Sequence, residues 1–227
     1  MSRNIGMIYF CFVLLFMLGV YFVVEFLWII KVIPIVLLAG AVFKTKPSSI
    51  RSILLLALVF SGVGDLLLAF NAFIYGVAAF LLAQLSYAVL FRYHWQGIQN
   101  RWPLSVLLII YMLGMAWLLI PSLGNLQLPV IAYLLTIAAM GLLAIQSSLS
   151  MRWAVLGAML FIISDSFIAI NKFINAFPFE TYWIMTTYYG AQFMLVTGFL
   201  NSDGADDHNG KGMGEGEGVK GEGVKRD

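Results

Sequence analysis

Apolar residues run almost without interruption through the first 200 positions, and polar residues fall in short clusters between them. A helix needs about 20 predominantly apolar residues to cross the hydrocarbon core of a bilayer. The pattern predicts eight such stretches, at residues 5–24, 26–43, 52–70, 72–91, 103–120, 128–145, 153–170 and 181–200. The breaks carry turn chemistry, as in Lys46-Pro47-Ser48-Ser49, Pro121-Ser122-Leu123-Gly124-Asn125 and Asn175-Ala176-Phe177-Pro178. At Glu25 and Asn71 the connections are very short, which makes the flanking helices antiparallel neighbours. The first stretch follows Arg3, exceeds a usual signal-peptide core and has no small-residue cleavage site after it, so it is expected to stay as a span.

Composition agrees with the pattern. Hydrophobic residues make up 62% of the chain and charged ones 11%, which excludes a soluble domain of this size and leaves a polytopic all-α membrane protein. The charge is unevenly placed. Residues 1–200 hold nine Lys/Arg against four acids (+5), whereas residues 201–227 hold four against seven (−3). The chain therefore divides into an eight-helix transmembrane domain, 1–200, and a glycine-rich charged tail, 201–227, which is expected to be disordered for want of apolar surface to bury. Nothing in this balance implies nucleic acid as a partner; the partners it implies are membrane lipids.

Lys and Arg also set the orientation. With eight spans both termini share one side, and that side collects Arg3, Lys44, Lys46, Arg51, Arg92, Arg101 and Arg152. Only Lys172 falls in a loop on the other. Both termini are therefore expected to be cytoplasmic.

One pattern occurs twice. Asp65, Ala69 and Asn71 read D-x-x-x-A-x-N, and so do Asp165, Ala169 and Asn171. A carboxylate at the centre of a spanning helix costs about 2.5–3.5 kcal/mol on insertion scales, so such a residue marks a functional site by default. Each aspartate stands five residues before the predicted end of its span. At about 1.5 Å per residue, both lie roughly 8 Å inside the non-cytoplasmic boundary. Spans three and seven run in the same direction, which predicts a parallel internal repeat of four plus four helices.

Other polar residues reach the same depth. Lys31 lies near the start of span two, Gln84 and Tyr87 share a face of span four, and Tyr188 and Gln192 share a face of span eight. A lone Gln or Tyr in a membrane helix ordinarily ties helices together, and Lys31 can snorkel to the interface or act as counter-ion to an aspartate. Glu25 and Glu180 stand at span ends and read as solvated. Cys11 is the single cysteine, and His94 and His208 are the only histidines, which excludes a Cys/His zinc centre; no metal and no cofactor is expected.

Two carboxylates in one low-dielectric cleft cannot both ionise freely. One then serves as an acid and the other as a base, the division used around oxocarbenium-like transition states.

These residues also carry a resemblance. Lys31 with Pro34, Ser61-x-x-Gly64-Asp65-x-Leu67, Phe80 to Tyr87 with a polar residue at Gln84, Gly157-Ala158 leading to Ser164-Asp165-x-x-x-Ala169, and Tyr188-Tyr189-x-Ala191-Gln192 resemble the lysoplasmalogenase (YhhN-like) family of integral membrane proteins. The resemblance covers nearly all of residues 1–200. Position 84 is often histidine in that family and is glutamine here. The resemblance implies a metal-independent ether hydrolase that cleaves the vinyl ether bond of a lysoplasmalogen to a fatty aldehyde and glycerophosphocholine or glycerophosphoethanolamine. Asp65 and Asp165 would be the catalytic pair, with Lys31, Gln84, Tyr87, Tyr188 and Gln192 binding substrate. A bacterial inner membrane and an endoplasmic reticulum membrane both fit. Two other classes stay open: a proton-coupled transporter using the paired aspartates, and a structural protein with an incidental polar network.

Overall fold

The computed structural model describes residues 3–98 and 100–214. They form eight helices in chain order: α1 Arg3–Tyr21, α2 Leu27–Phe43, α3 Ser49–Ala69, α4 Phe73–Tyr93, α5 Trp102–Leu119, α6 Gln127–Ile145, α7 Leu156–Phe173 and α8 Glu180–Gly214. A π-helical turn, Met151–Val155, leads into α7. Among the described residues there is no strand, only one bridge between Trp95 and Ser147 that ties two connections together.

Among the described residues, six segments are long and apolar enough to cross a membrane: α1, α3, α4, Trp102–Ser122, Gly124–Ile145 and Met151–Phe173. The apolar α2 has 17 residues. The chain is thus an integral, multi-pass, all-helical protein, and its many exposed Leu, Ile, Val and Phe side chains form the surface such a protein presents to lipid.

Local chemistry sets the helix ends. The Ser48 hydroxyl caps α3 by accepting from the Arg51 amide at 3.0 Å. Pro103 falls in the first turn of α5, where its missing N–H costs nothing. At the opposite end, short connections force left-handed backbone at Val23, Phe26, Asn71 and Phe179. Asn71 tolerates that conformation best, and its φ of 59° turns the chain between α3 and α4.

Two helix ends differ from expectation. α7 continues to Phe173, so Asn171 is still helical, whereas α3 stops at Ala69 and Asn71 lies outside it. α8 runs to Gly214, past the boundary expected at residue 200. Composition argues against a helix starting in residues 201–214, but a helix already nucleated in the preceding span needs only to propagate. The rest of the expected disordered tail, 215–227, lies outside the described residues.

Most helices adjacent in sequence pack along one another, α3 with α4 and α7 with α8 most extensively, whereas α4 and α5 do not. Glycines permit the closest approaches. A Cβ at Gly64 would meet the Phe80 ring at 2.8 Å, and one at Gly157 would meet the Leu195 amide at 3.0 Å. α4 also packs on α6, and α2 on α8. α3 and α7 do not pack along each other.

Candidate active site

Asp65 and Asp165 are both buried, at 1% and 9% exposure. Asp165 lies within reach of the Asp65 charge. Their neighbours differ. Asp65 forms an ion pair with Lys31, whose ammonium lies 3.1 Å from Asp65 Oδ1 and 3.4 Å from the Asp65 carbonyl. Among the described residues it is the only salt bridge. Asp165 meets neutral donors instead. The Gln84 amide donates to its Oδ2 at 3.2 Å, and the Tyr133 hydroxyl donates a very short hydrogen bond to the same oxygen.

Each aspartate lines its own chamber. The Asp65 chamber is polar, with Lys31, Ser164, Asn171, Lys172, Glu180 and Tyr188 on its walls. The Asp165 chamber is apolar, walled by side chains such as Met112, Met115, Leu119, Ile137 and Ile162. Leu68, Phe73, Phe80 and Ile168 line both. Phe80 belongs to an aromatic cluster with Tyr188, 5.9 Å away, and Phe161, 6.4 Å away. Its ring lies flat against Gly64, next to Asp65 in the chain.

A third set of groups lies behind the aspartates. The Tyr87 hydroxyl donates to Gln192 Oε1 at 2.6 Å, and the Gln192 amide donates to the Ser61 hydroxyl at 2.9 Å, one helical turn before Asp65. Gln84, Tyr87 and Gln192 are fully buried and line neither chamber. Further back, the Tyr9 hydroxyl donates to the Tyr189 carbonyl and the Tyr189 hydroxyl to the Lys31 carbonyl, both at 2.8 Å. Pro34 interrupts the α2 hydrogen-bond ladder beside this carbonyl. α1 and α8 thus hold the backbone of Lys31 in place.

Comparison with known proteins decides what this arrangement belongs to. The YhhN family profile matches residues 26–199, from the start of α2 to well inside α8. The chain belongs to the YhhN family. Human lysoplasmalogenase TMEM86B is 36% identical to this YhhN protein over 178 residues, covering 77% of this chain and 75% of its own. The mouse protein of the same name is 34% identical over 185 residues, covering 79% and 78%. A Mycobacterium tuberculosis lysoplasmalogenase is 33% identical over 178 residues, covering 73% and 67%. No solved structure matches. The chambers, both aspartates, Lys31 and the Tyr87–Gln192–Ser61 chain all lie within the segment matched to the family.

The polar residues singled out from the sequence of this YhhN protein thus meet around one pair of chambers. Lys31 and Tyr188 share the Asp65 chamber, and Gln84 touches Asp165. Tyr188 faces Asp65, with its hydroxyl as a donor toward that carboxylate. Sequence reasoning missed Tyr133. A signal existed: Tyr133 precedes Asp165 by 32 residues and Lys31 precedes Asp65 by 34. A lone tyrosine in an apolar helix does not stand out without that comparison.

Proposed function

We propose that this protein is a lysoplasmalogenase, hydrolysing the vinyl ether bond of an alkenyl glycerophosphocholine or glycerophosphoethanolamine. One observation carries the reading: a polar and an apolar chamber share a wall, with one of the two matched aspartates in each. A lysolipid has the same division. Its chain fits the apolar chamber, its glycerophosphate head fits the polar one, and its vinyl ether then spans the wall beside Phe80. The names of the family relatives point to the same substrate.

The neighbours divide the roles. Lys31 keeps Asp65 a carboxylate, the base. Asp165 has no cation beside it. Tyr133 and Gln84 occupy its Oδ2 as donors, so the proton of its acid form belongs on Oδ1. Asp165 is the general acid. It gives that proton to the alkene carbon remote from oxygen, and an oxocarbenium ion forms. Water adds to the carbon beside oxygen as Asp65 takes a water proton, giving a hemiacetal. Asp65 then returns its proton to the departing glycerol oxygen while Asp165 takes the hemiacetal hydroxyl proton. The aldehyde is released and both aspartates regain their starting states. Tyr188 binds substrate beside Asp65. Gln84 positions Asp165, while Tyr87 and Gln192 position the α3 turn that carries Asp65.

In the membrane, residues 1–200 form eight spans, with both termini and the tail from residue 201 on the cytoplasmic side. The basic residues at the ends of α2 and α4 and the starts of α3, α5 and α7 support that orientation. Two related helix pairings, α2 with α8 and α4 with α6, support a four-plus-four parallel repeat, because each maps onto the other under a shift of four helices. Both chambers then face the non-cytoplasmic leaflet of a bacterial inner membrane or endoplasmic reticulum.

The test is free aldehyde released from an alkenyl lysophospholipid by purified protein in nanodiscs. No release above the protein-free control would sink the reading.

A further inference from the structure

The Asp65 chamber carries more polar groups than hydrolysis uses. Asn171 Oδ1 is buried there with no hydrogen-bond partner. A buried acceptor without a partner is costly, so Asn171 Oδ1 points to a ligand that supplies a donor. The chamber also holds two cations, Lys31 and Lys172, and two anions, Asp65 and Glu180. Lys31 and Asp65 satisfy each other at 3.1 Å. Among the described residues, Lys172 and Glu180 make no salt bridge, although both line the chamber. The Lys172 ammonium rests 4.9 Å from the centre of the Phe73 ring, and Glu180 opens the first turn of α8. One unpaired positive and one unpaired negative charge therefore remain toward the mouth.

We propose that Lys172, Glu180 and Asn171 form a head-group subsite that selects a zwitterionic phosphodiester. Lys172 takes the phosphate and Glu180 the terminal ammonium. Asn171 Oδ1 accepts from the free glycerol hydroxyl that a lysolipid, unlike a two-chain lipid, has to donate. The assignment rests on the lysoplasmalogenase reading for its substrate class, but its charge logic can be measured without catalysis.

The probes are three saturated ethers with one chain each, which the enzyme cannot hydrolyse: 1-O-alkyl-glycerophosphoethanolamine, 1-O-alkyl-glycerol-3-phosphate and 1-O-alkyl-glycerol. Equilibrium binding is measured in nanodiscs for the wild type, Glu180→Gln and Lys172→Gln. Glu180→Gln is expected to weaken the ethanolamine lipid about tenfold relative to the phosphate monoester, the scale of one hydrogen-bonded charge. Lys172→Gln is expected to weaken both phosphate lipids about tenfold relative to the alkylglycerol. Lys172 is exposed and Glu180 only partly buried, so both variants should fold; matching melting temperatures check this. If the wild type binds none of the probes, or if these ratios stay within twofold, the subsite is wrong. Aldehyde release from the alkenyl lipid is scored separately. Release with unmoved ratios overturns the subsite alone, whereas moved ratios without release overturn the proposed reaction and keep the subsite.

Discussion

Asp65 and Asp165 hold the same place in the same seven-residue pattern, on helices that run in the same direction. Their polar partners differ entirely. One faces an ammonium in a charged chamber; the other receives a phenol and an amide at the head of a greasy one. Repetition of a sequence pattern sets where a group sits along a helix. The residues opposite it, which lie on other helices and are not repeated, set what the group does. The asparagines diverge in the same way. Asn71 spends its tolerance of left-handed backbone on a turn, while Asn171, still helical, lines the chamber of the other copy's aspartate.

That contrast can be broken by exchange of single atoms. Asp165→Asn should have the largest effect, a fall in aldehyde release of about a thousandfold, because the amide cannot donate the proton that starts the reaction. Asp65→Asn should cost less, about a hundredfold, since water can still capture the cation without a base. Steady-state kinetics on the two variants rank them, and the reverse order would exchange the assigned roles. Lys31→Met strips Asp65 of its partner. Leaving one member of a buried ion pair alone costs about 3–5 kcal/mol, so thermal unfolding in detergent should show a clear loss of stability, and Lys31→Arg should recover part of it. Tyr133→Phe removes one of the two donors on Asp165. Turnover should drop about tenfold, the scale of one hydrogen bond to a charged group, with the unfolding temperature little moved. Last, chelation by EDTA should leave turnover unchanged; a loss would mean that the aspartates hold a metal instead of acting as acid and base.

The architecture was legible because burial in lipid demands long apolar runs, and length converts directly to depth. Depth alone brought Lys31, Asp65, Gln84, Tyr87, Asp165, Tyr188 and Gln192 into one slab. Rotation about each helix axis was not legible. Tyr87 and Gln192 share the slab with Tyr188, yet they point away from both chambers and toward each other. Lys172 read as a loop charge and Glu180 as a solvated span end, because nothing in the linear order says that the end of α7 and the start of α8 bring their charges to one cavity. The extension of α8 past residue 200 was missed for a different reason: composition judges whether a segment can start a helix, not whether it inherits one.

The wall of Phe73, Phe80, Leu68 and Ile168 has a consequence for the products. In the proposed reaction, a single molecule bridges oil and water across it before cleavage. Afterwards, each fragment is left in the medium that dissolves it, with the glycerophospho-base beside the charged mouth and the aldehyde among Met112, Met115 and Leu119. On that reading, the barrier that sets the substrate in register is also a sorter.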